Sequence, residues 1–513
     1  MTVDEVLVKN NDVIDPEIGT AELNATKPVP DSENVVKGQQ NSNKKKKSKG
    51  KKAPPSPEEI TKIRAERAAQ RKAKEEALLT QGSDANCPPE LQFIRRPMLE
   101  LHQGEPETGF TFSMMTYNCL AQALIRRKLF PDSGDALKWF RRSKVLLYEF
   151  MHYKPDVICL QEVDHIQYQS FWKEEFGKLG YDSQFHRKSS KNHGIAIVWK
   201  RDLFTMTDKM LIDYDKETSG NIPPRTVTNN AGLILALKFT DKVLQKFPET
   251  TKSGIIIGTT HLFWHPFGTY ERTRQCYVVL NKVKEFLHRV NVLQNNNDGE
   301  QHWLPFFCGD FNSQPFDTPY LSMTSKPVKY FDRAKTVIEC STSYKFSKLR
   351  EGGDDAEEEE GGNIEKFGKD QPQTPVPISF DPTEEQAELV EEMAKLHNTL
   401  DMRAISLYAT GYNKVHPENA GADNARGEPE ISNWAHTWNG LLDYLFYIDS
   451  WDFSDKTQPD TLEEFESKHP IKIRGLLRMP PKSEMEKFGH GQPHTGEYAS
   501  DHLSMVCNIE VLL

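Results

Sequence analysis

Six apolar stretches in this chain each meet a polar residue of the kind that does chemistry, and that pattern limits what the chain can fold into. Residues 110–120 end in Tyr117-Asn118, residues 156–163 (DVICLQEV) in Gln161-Glu162, and residues 254–262 (GIIIGTTHL) near His261. Residues 303–307 lead into Cys308-Gly309-Asp310-Phe311-Asn312-Ser313, residues 441–449 (LLDYLFYID) carry Asp443, and residues 503–513 follow Ser500-Asp501-His502. Short continuous apolar runs read as strands buried on both faces. Helical patterns at 141–153, 171–179 and 272–293 lie between them, so the body reads as α/β. Residues 194–200 (GIAIVWK) and 231–239 read as two more strands, expected to be antiparallel neighbours. Buried polar groups are costly without partners. Gathered at one sheet edge, six of them would satisfy each other through a metal ion and a substrate phosphate.

The Gly-Asp-x-Asn step shows the logic. The chain is expected to turn at Gly309 and to present Asp310 and Asn312 two residues apart, on the same side of an extended backbone. A carboxylate and an amide oxygen are hard ligands suited to Mg²⁺. A strand ending in an Asx turn is the alternative reading of the same residues.

Net charge is −10, unevenly spread. Between Lys44 and Lys74 stand 13 Lys/Arg against 3 Glu, which leaves the rest of the chain strongly acidic. Residues 1–90 read as a disordered basic tail with a single helix at 57–79, opened by Ser56 as N-cap and Pro57. The run Lys44-Lys45-Lys46-Lys47-Ser48-Lys49-Gly50-Lys51-Lys52 fits a nuclear address, an RNA-attracting arm or a merely solvated charge run. Residues 91–513 read as the folded body, interrupted at about 350–380 by a disordered acidic insertion with seven acids between Glu351 and Glu360. A short helix opening at Asp381-Pro382-Thr383-Glu384 is expected to belong to that insertion. Seven cysteines with no C-x-x-C pair point to a reducing compartment, and no stretch approaches the ~18 apolar residues of a membrane span. The first residues carry no signal-peptide pattern. The expected location is nuclear, nucleolar and cytoplasmic, not secreted.

The ordered set Tyr117-Asn118, Leu160-Gln161-Glu162-Val163, Thr260-His261-Leu262, Gly309-Asp310-Phe311-Asn312-Ser313, Leu442-Asp443-Tyr444 and Ser500-Asp501-His502-Leu503 resembles the exonuclease–endonuclease–phosphatase superfamily. Leu160-Gln161-Glu162-Val163, the GIAIVWK strand and Asp443-Tyr444-Leu445-Phe446-Tyr447 are similar to its carbon-catabolite-repression-type deadenylase and nocturnin branch, and most to the small yeast relatives without leucine-rich repeats. The resemblance covers roughly residues 108–513. It departs from the branch at His193-Gly194-Ile195-Ala196, where an Asp usually precedes the Gly, and that puts substrate preference in question.

The resemblance implies a two-sheet α/β sandwich, deoxyribonuclease-like, with the active site at one sheet edge. It implies one or two Mg²⁺ ions, for which Mn²⁺ could substitute. Glu162 would hold the first ion; Asp310, Asn312 and His502 would flank a second ion or the attacking water. Asp310 would orient or deprotonate that water, His261 would donate to a non-bridging oxygen, Asp501 would hold the tautomer of His502, and Asn118 would position Glu162 or a phosphate oxygen. Asp443 would fix a neighbouring ligand at the substrate side. Asn433, Trp438 and Pro266 match positions that contact an adenine base in the branch; Trp438 as a core residue and Asn433 as a loop cap are the plainer alternatives. Arg272 and Arg274 would meet phosphates or stand as exposed helix charges. The leading expectation is a 3′-to-5′ exoribonuclease releasing 5′-nucleotides from poly(A) or from RNA precursors such as ribosomal RNA. A phosphatase acting on a small adenine nucleotide and a catalytically inert RNA-binding scaffold are the alternatives, and no membrane partner is expected.

Overall fold

The computed structural model of the chain describes residue 88 and residues 91–512, apart from 108, 190, 294–301, 345–373 and 437. The basic tail, its helix at 57–79 and the acidic run at 351–360 lie outside the described residues.

Two sheets face each other. The first, seven-stranded, runs in the order β1 (Met98–Glu100), β14 (Ile471–Leu477), β15 (Met505–Val511), β2 (Thr111–Asn118), β3 (Val157–Asp164), β5 (His193–Lys200), β4 (Tyr181–His186). The second runs β10 (Met402–Ser406), β13 (Asp443–Ser450), β9 (Trp303–Asp310), β8 (Gly254–His261), β7 (Ala231–Phe239), β6 (Phe204–Asp213). A two-stranded ribbon, β11 (Asn433–Ala435) with β12 (Trp438–Gly440), lies apart from both. Two pairs are parallel, β2 with β3 and β8 with β9; the other pairs are antiparallel.

The apolar runs are continuous because both faces of the central strands are covered. Val157 and Cys159 of β3 join the core between the sheets, with Ile255, Ile257, Phe306 and Cys308. The alternate residues Ile158 and Leu160 join Leu146 and Phe150 of helix α1 (Trp139–Tyr153) on the outer face. Helix α2 (Thr269–Leu293) covers the second sheet with Cys276, Val279, Leu280, Val283 and Phe286. The result is a four-layer α/β sandwich.

Four expectations change. Strands β5 and β7 are not neighbours in one sheet. β4 and β6 pair beside them, and the sheets part there. Those two edge strands are half-exposed and polar, so they carry no apolar run to betray them. The stretch read as a helix over 171–179 begins earlier, at His165, and includes a π-turn at Tyr168–Trp172. The helix after Pro382, α3 (Glu384–Thr399), has a full capping box between Thr383 and Gln386 and buries Val390, Met393 and His397. It packs with Tyr270, Val328 and Ile338, so it is part of the body and not of a solvated insertion. Finally, β9 does not turn at Gly309 but continues to Asp310, with Gly309 set so close to β8 that an added Cβ would stand 2.3 Å from the Thr260 carbonyl oxygen.

One buried acid makes stability depend on pH. Tyr320 Oη donates to Glu428 Oε1 at 2.8 Å, and Glu428 is fully buried. Burial pushes its carboxyl up to about 7. The folded chain therefore keeps a proton that the unfolded chain has released, and raising the pH from about 4.5 to 7 favours unfolding. The expected loss is ~3 kcal/mol relative to Glu428→Gln, which has no such proton. Denaturant unfolding of both proteins at several pH values measures it; parallel curves would refute the assignment.

Candidate active site

The topology explains why the six polar positions meet. Strands within each parallel pair end at the same edge, so β2 and β3 deliver Asn118 and Glu162 together, and β8 and β9 deliver His261 opposite Asp310. The antiparallel strand β13 starts at that edge with Asp443 opposite Asp310, and His502 precedes β15. The ends of both sheets thus form one edge.

Local backbone aims the side chains. Between Leu160 and Val163 the register of β3 against β5 shifts, and Glu162 within this bulge has φ +53°. A bulge re-aims a side chain that a regular strand would have directed to a face. Strand β3 therefore continues past Glu162 to Asp164, whose carboxylate accepts from the N–H groups of Gln122 and Ala123 and holds the loop after β2. Asn312 has φ +47°, so Asp310 and Asn312 do not share an extended backbone as expected from their spacing. Instead Asp310 Oδ1 accepts from the Asn312 N–H at 2.9 Å in an Asx turn, and Asn312 Nδ2 donates to the Leu262 carbonyl at 3.0 Å. Its amide oxygen is left outside that bond. Non-glycine residues held in this region cost of order 1–3 kcal/mol each and cluster at functional sites.

Asn118 ties the two sheets at the centre. Its Nδ2 donates to Glu162 Oε1 at 3.0 Å and to Asp310 Oδ2 at 2.9 Å, while the Ala121 N–H donates to Glu162 Oε2 at 2.9 Å. Two imidazoles flank Asp310: His261 Nε2 stands 3.5 Å and His502 Nε2 3.6 Å from its Oδ2. The far ring nitrogen of His502, Nδ1, is 2.7 Å from Asp443 Oδ2. Ser432 Oγ donates to that same Asp443 oxygen at 2.7 Å and accepts from the N–H groups of Leu442 and Asp443.

This geometry corrects two expected roles. Asp443, not Asp501, orients His502. Asp443 is fully buried behind the imidazole and does not line the cavity, so it is no substrate contact. Asp501 lines the cavity, and its side chain accepts from Ser500 Oγ at 3.3 Å. Two arginines are corrected as well. Arg272 is buried and donates to the carbonyls of Phe263 and His265, and Arg274 is buried against Glu271. Neither is an exposed helix charge, and Arg274 is sealed off from any phosphate.

Four carboxylates gather here: Glu162, Asp310, Asp443 and Asp501. Burial pushes the carboxyls of Asp443 and Asp501 up. At Glu162 the same burial is outweighed by the neighbouring His261 and by the Ala121 and Asn118 bonds, which hold its carboxyl below the usual range. Burial opposes the charge on His502, yet Asp443 and Asp310 raise it well above the ordinary histidine range. His193, passed over as a site residue, lines the cavity; burial and then Lys191 lower it to about 3, so it is neutral. A nest of carboxylates with one imidazolium and an amide oxygen is a hard-oxygen donor set with surplus negative charge, which fits a divalent cation of the Mg²⁺ type. Asp310, Asp443 and His502 also lie close enough to share an ion, but the facing atoms of Asp443 and His502 are already hydrogen-bonded.

A cavity of about 630 Å³ opens on these groups. Leu120, Leu124, Phe130, Pro266, Trp264 and Trp438 line its apolar side. Trp438 is 43 % exposed, so it is not a core residue. Asn433 is buried, lines the cavity and has an Oδ1 with no hydrogen-bond partner; its backbone bridges to His502. Trp264 and Asn230, whose Nδ2 donates to the His261 carbonyl, also line the cavity and were not singled out from sequence. The Trp264 position, three after His261, was the available signal.

The endonuclease/exonuclease/phosphatase family model matches residues 115–502, which include every residue of this site. The chain belongs to that family. Relatives within it are extensive matches. The RNA exonuclease NGL2 of Saccharomyces cerevisiae is 70 % identical over 476 residues, covering 92 % of each chain. The probable RNA exonuclease NGL3 of the same yeast is 43 % identical over 470 residues, covering 88 % of this chain and 90 % of its own. Among solved structures, ANGEL2, described as a 2′,3′-cyclic phosphatase in complex with adenosine-2′,3′-vanadate, matches 82 % of this chain and 99 % of its own at 18 % identity and a TM-score of 0.48. The family member in hand thus has the two-sheet sandwich and the edge site that its motifs implied.

Proposed function

We propose that the chain is a Mg²⁺-dependent 3′-to-5′ exoribonuclease that releases 5′-nucleotides and favours 3′-terminal adenines. The observation that carries this reading is the Asn118 bridge between Glu162 and Asp310, set beside His261 and His502 on the wall of a cavity of about 630 Å³, roomy enough for a nucleotide. The identity to a named RNA exonuclease supports RNA as the substrate.

Glu162, Asp310 and the Asn312 amide oxygen would hold the cation. When bound, such an ion polarises a phosphoryl oxygen and lowers the pKa of a bound water. Asp310, kept in place by Asn118 and the Asn312 N–H, orients the attacking water and accepts its proton. His261 donates from Nε2 to a non-bridging oxygen, where charge builds up in the transition state. His502, with Nδ1 fixed on Asp443, presents Nε2 to the same space. Trp438 offers a stacking face, and Asn433 Oδ1 offers an acceptor to an exocyclic amine such as adenine carries. The lysine run at 44–52 supports a nuclear RNA, such as a ribosomal precursor, as a target.

The test uses 5′-labelled RNAs ending in A, U, C or G, with and without Mg²⁺. The expected result is a ladder shortening from the 3′ end, fastest on the A-tailed RNA. Trp438→Ala should raise KM by the loss of stacking, ~1–3 kcal/mol or roughly 5–150-fold, with a smaller change in kcat. Equal trimming of all four ends would remove the adenine preference, and no trimming would remove the exonuclease reading.

A further inference from the structure

Beside the carboxylate nest lies a buried cation that the chemistry described so far leaves unused. Arg142, in the first turn of α1, is 1 % exposed and does not line the cavity. Its hydrogen bonds go to backbone carbonyls alone. Nε donates to Ala499 at 2.7 Å, and Nη2 donates to both Cys119 and Leu120, the latter at 2.7 Å. A buried charge is costly and is usually met by an opposite charge. Here peptide dipoles meet it, and two of them belong to the loop that leaves β2 at the site.

Each of those two peptides has its other end on the nest. The unit joining Leu120 to Ala121 gives its carbonyl to Arg142 and its N–H to Glu162 Oε2 at 2.9 Å. The unit joining Cys119 to Leu120 gives its carbonyl to Arg142 and its N–H to Asn118 Oδ1 at 3.0 Å. That second bond sets the Asn118 amide with Nδ2 on Glu162 and Asp310. The loop passes through a left-handed Leu120, φ +54°, to aim both units this way, a conformation unfavourable for a leucine. One carbonyl further back, that of Asn118 accepts from Ser500 Oγ at 2.8 Å. Three successive carbonyls are thus held by Arg142 and Ser500. A donor on a carbonyl polarises the peptide and strengthens its N–H, as chains of hydrogen bonds do. With Arg142 gone, nothing in this set would keep the Leu120 carbonyl from turning towards the Glu162 carboxylate.

We propose that Arg142 is a positioning residue for the cation site, acting through two peptide units that aim their N–H groups at Glu162 and Asn118. The inference rests on the assignment of the cation to Glu162 and Asp310, and adds the residue that keeps their donors in place. Arg142 itself touches neither ion nor substrate.

The experiment measures two quantities: the Mg²⁺ concentration for half-maximal RNA cleavage, and the rise in Tm on adding Mg²⁺. It compares the wild-type chain with Arg142→Met, Arg142→Lys and Phe176→Leu. Phe176 stacks on Trp172 in the outer core and sets the baseline for plain loss of packing. Arg142→Met and Phe176→Leu should both lower the Tm without Mg²⁺. Of the two, Arg142→Met alone should raise the half-maximal Mg²⁺ concentration, by about 10–100-fold, as loss of a ligand's supporting partner does. Its Mg²⁺-dependent rise in Tm should shrink accordingly. KM for RNA at saturating Mg²⁺ should stay near the wild-type value. Arg142→Lys keeps the charge but has no planar fork to span three carbonyls, so it should fall between, and it carries the comparison if the Met variant does not fold. In a Glu162→Gln background, Arg142→Met should add much less than it does alone, because its route to the ion runs through Glu162. An unchanged Mg²⁺ dependence and Tm rise in the Arg142 variants would overturn the proposal, as would full additivity with Glu162→Gln; both results leave the cation at Glu162 standing. If Mg²⁺ neither raises the wild-type Tm nor supports cleavage, the cation assignment fails and the proposal with it.

Discussion

Asp443→Asn is expected to lower kcat on RNA by about 10²–10⁴-fold with little change in KM, although the residue touches no substrate. The range is that of a positioned acid–base group. Asp443 is fully buried, and its Oδ2 takes both the Ser432 hydroxyl and the His502 ring. An amide keeps the shape and an acceptor but loses the charge that stabilises the imidazolium. His502 Nε2, 3.6 Å from Asp310, would then present a different protonation state to the reacting atoms. Asp443→Ala should go further. It leaves a buried histidine without its counter-charge, and breaking a buried pair costs about 3–5 kcal/mol. Rapid kinetics for the Asn variant and denaturant unfolding for the Ala variant check the two effects separately. A normal kcat in Asp443→Asn would show that His502 needs no partner.

Glu162→Gln should act on the cation. The divalent-ion concentration for half-maximal activity should rise by more than the 10–100-fold that loss of a ligand's supporting partner costs, because here a charged ligand itself is removed. The Gln keeps the shape and one acceptor oxygen, enough for either the Asn118 Nδ2 or the Ala121 N–H bond, so denaturant unfolding of the variant is measured alongside. The readout independent of activity is the rise in Tm on adding Mg²⁺. Binding to the folded state stabilises by RT ln(1 + [L]/Kd), so the rise should be clear in the wild-type chain and much smaller in the variant. Equal rises would place the ion elsewhere, with Asp310 and Asp501 the next residues to test.

Part of this site was legible in sequence because Asn118, Glu162, His261, Asp310 and Asp443 lie at the ends of apolar strands, and the motifs around them resemble a known family. Burial makes such runs continuous and their polar ends conspicuous. What sequence did not carry were the relations across the sheets. Asp501 is the neighbour of His502 in the chain, but Asp443, 59 residues away, is its partner in space. The spacing of Asp310 and Asn312 suggested convergence on an extended backbone, whereas the left-handed turn at Asn312 sends its amide nitrogen to Leu262. Strands β4 and β6 carry no apolar signature because edge strands are half-solvated, and without them the pattern sets β5 beside β7 in one sheet. The helix patterns held where one face is strongly apolar, as in α2, and failed where helix ends are set by packing, as at His165.

The most direct test of the account is the identity of the first product. An A-tailed RNA, radiolabelled at its last internucleotide phosphate, is incubated with wild-type protein and Mg²⁺, with Glu162→Gln alongside. The account predicts that the label appears first as a free 5′-mononucleotide, only with the cation, and at a much reduced rate in the variant. Label released as inorganic phosphate, label retained in an internal fragment, or full release in EDTA would contradict it.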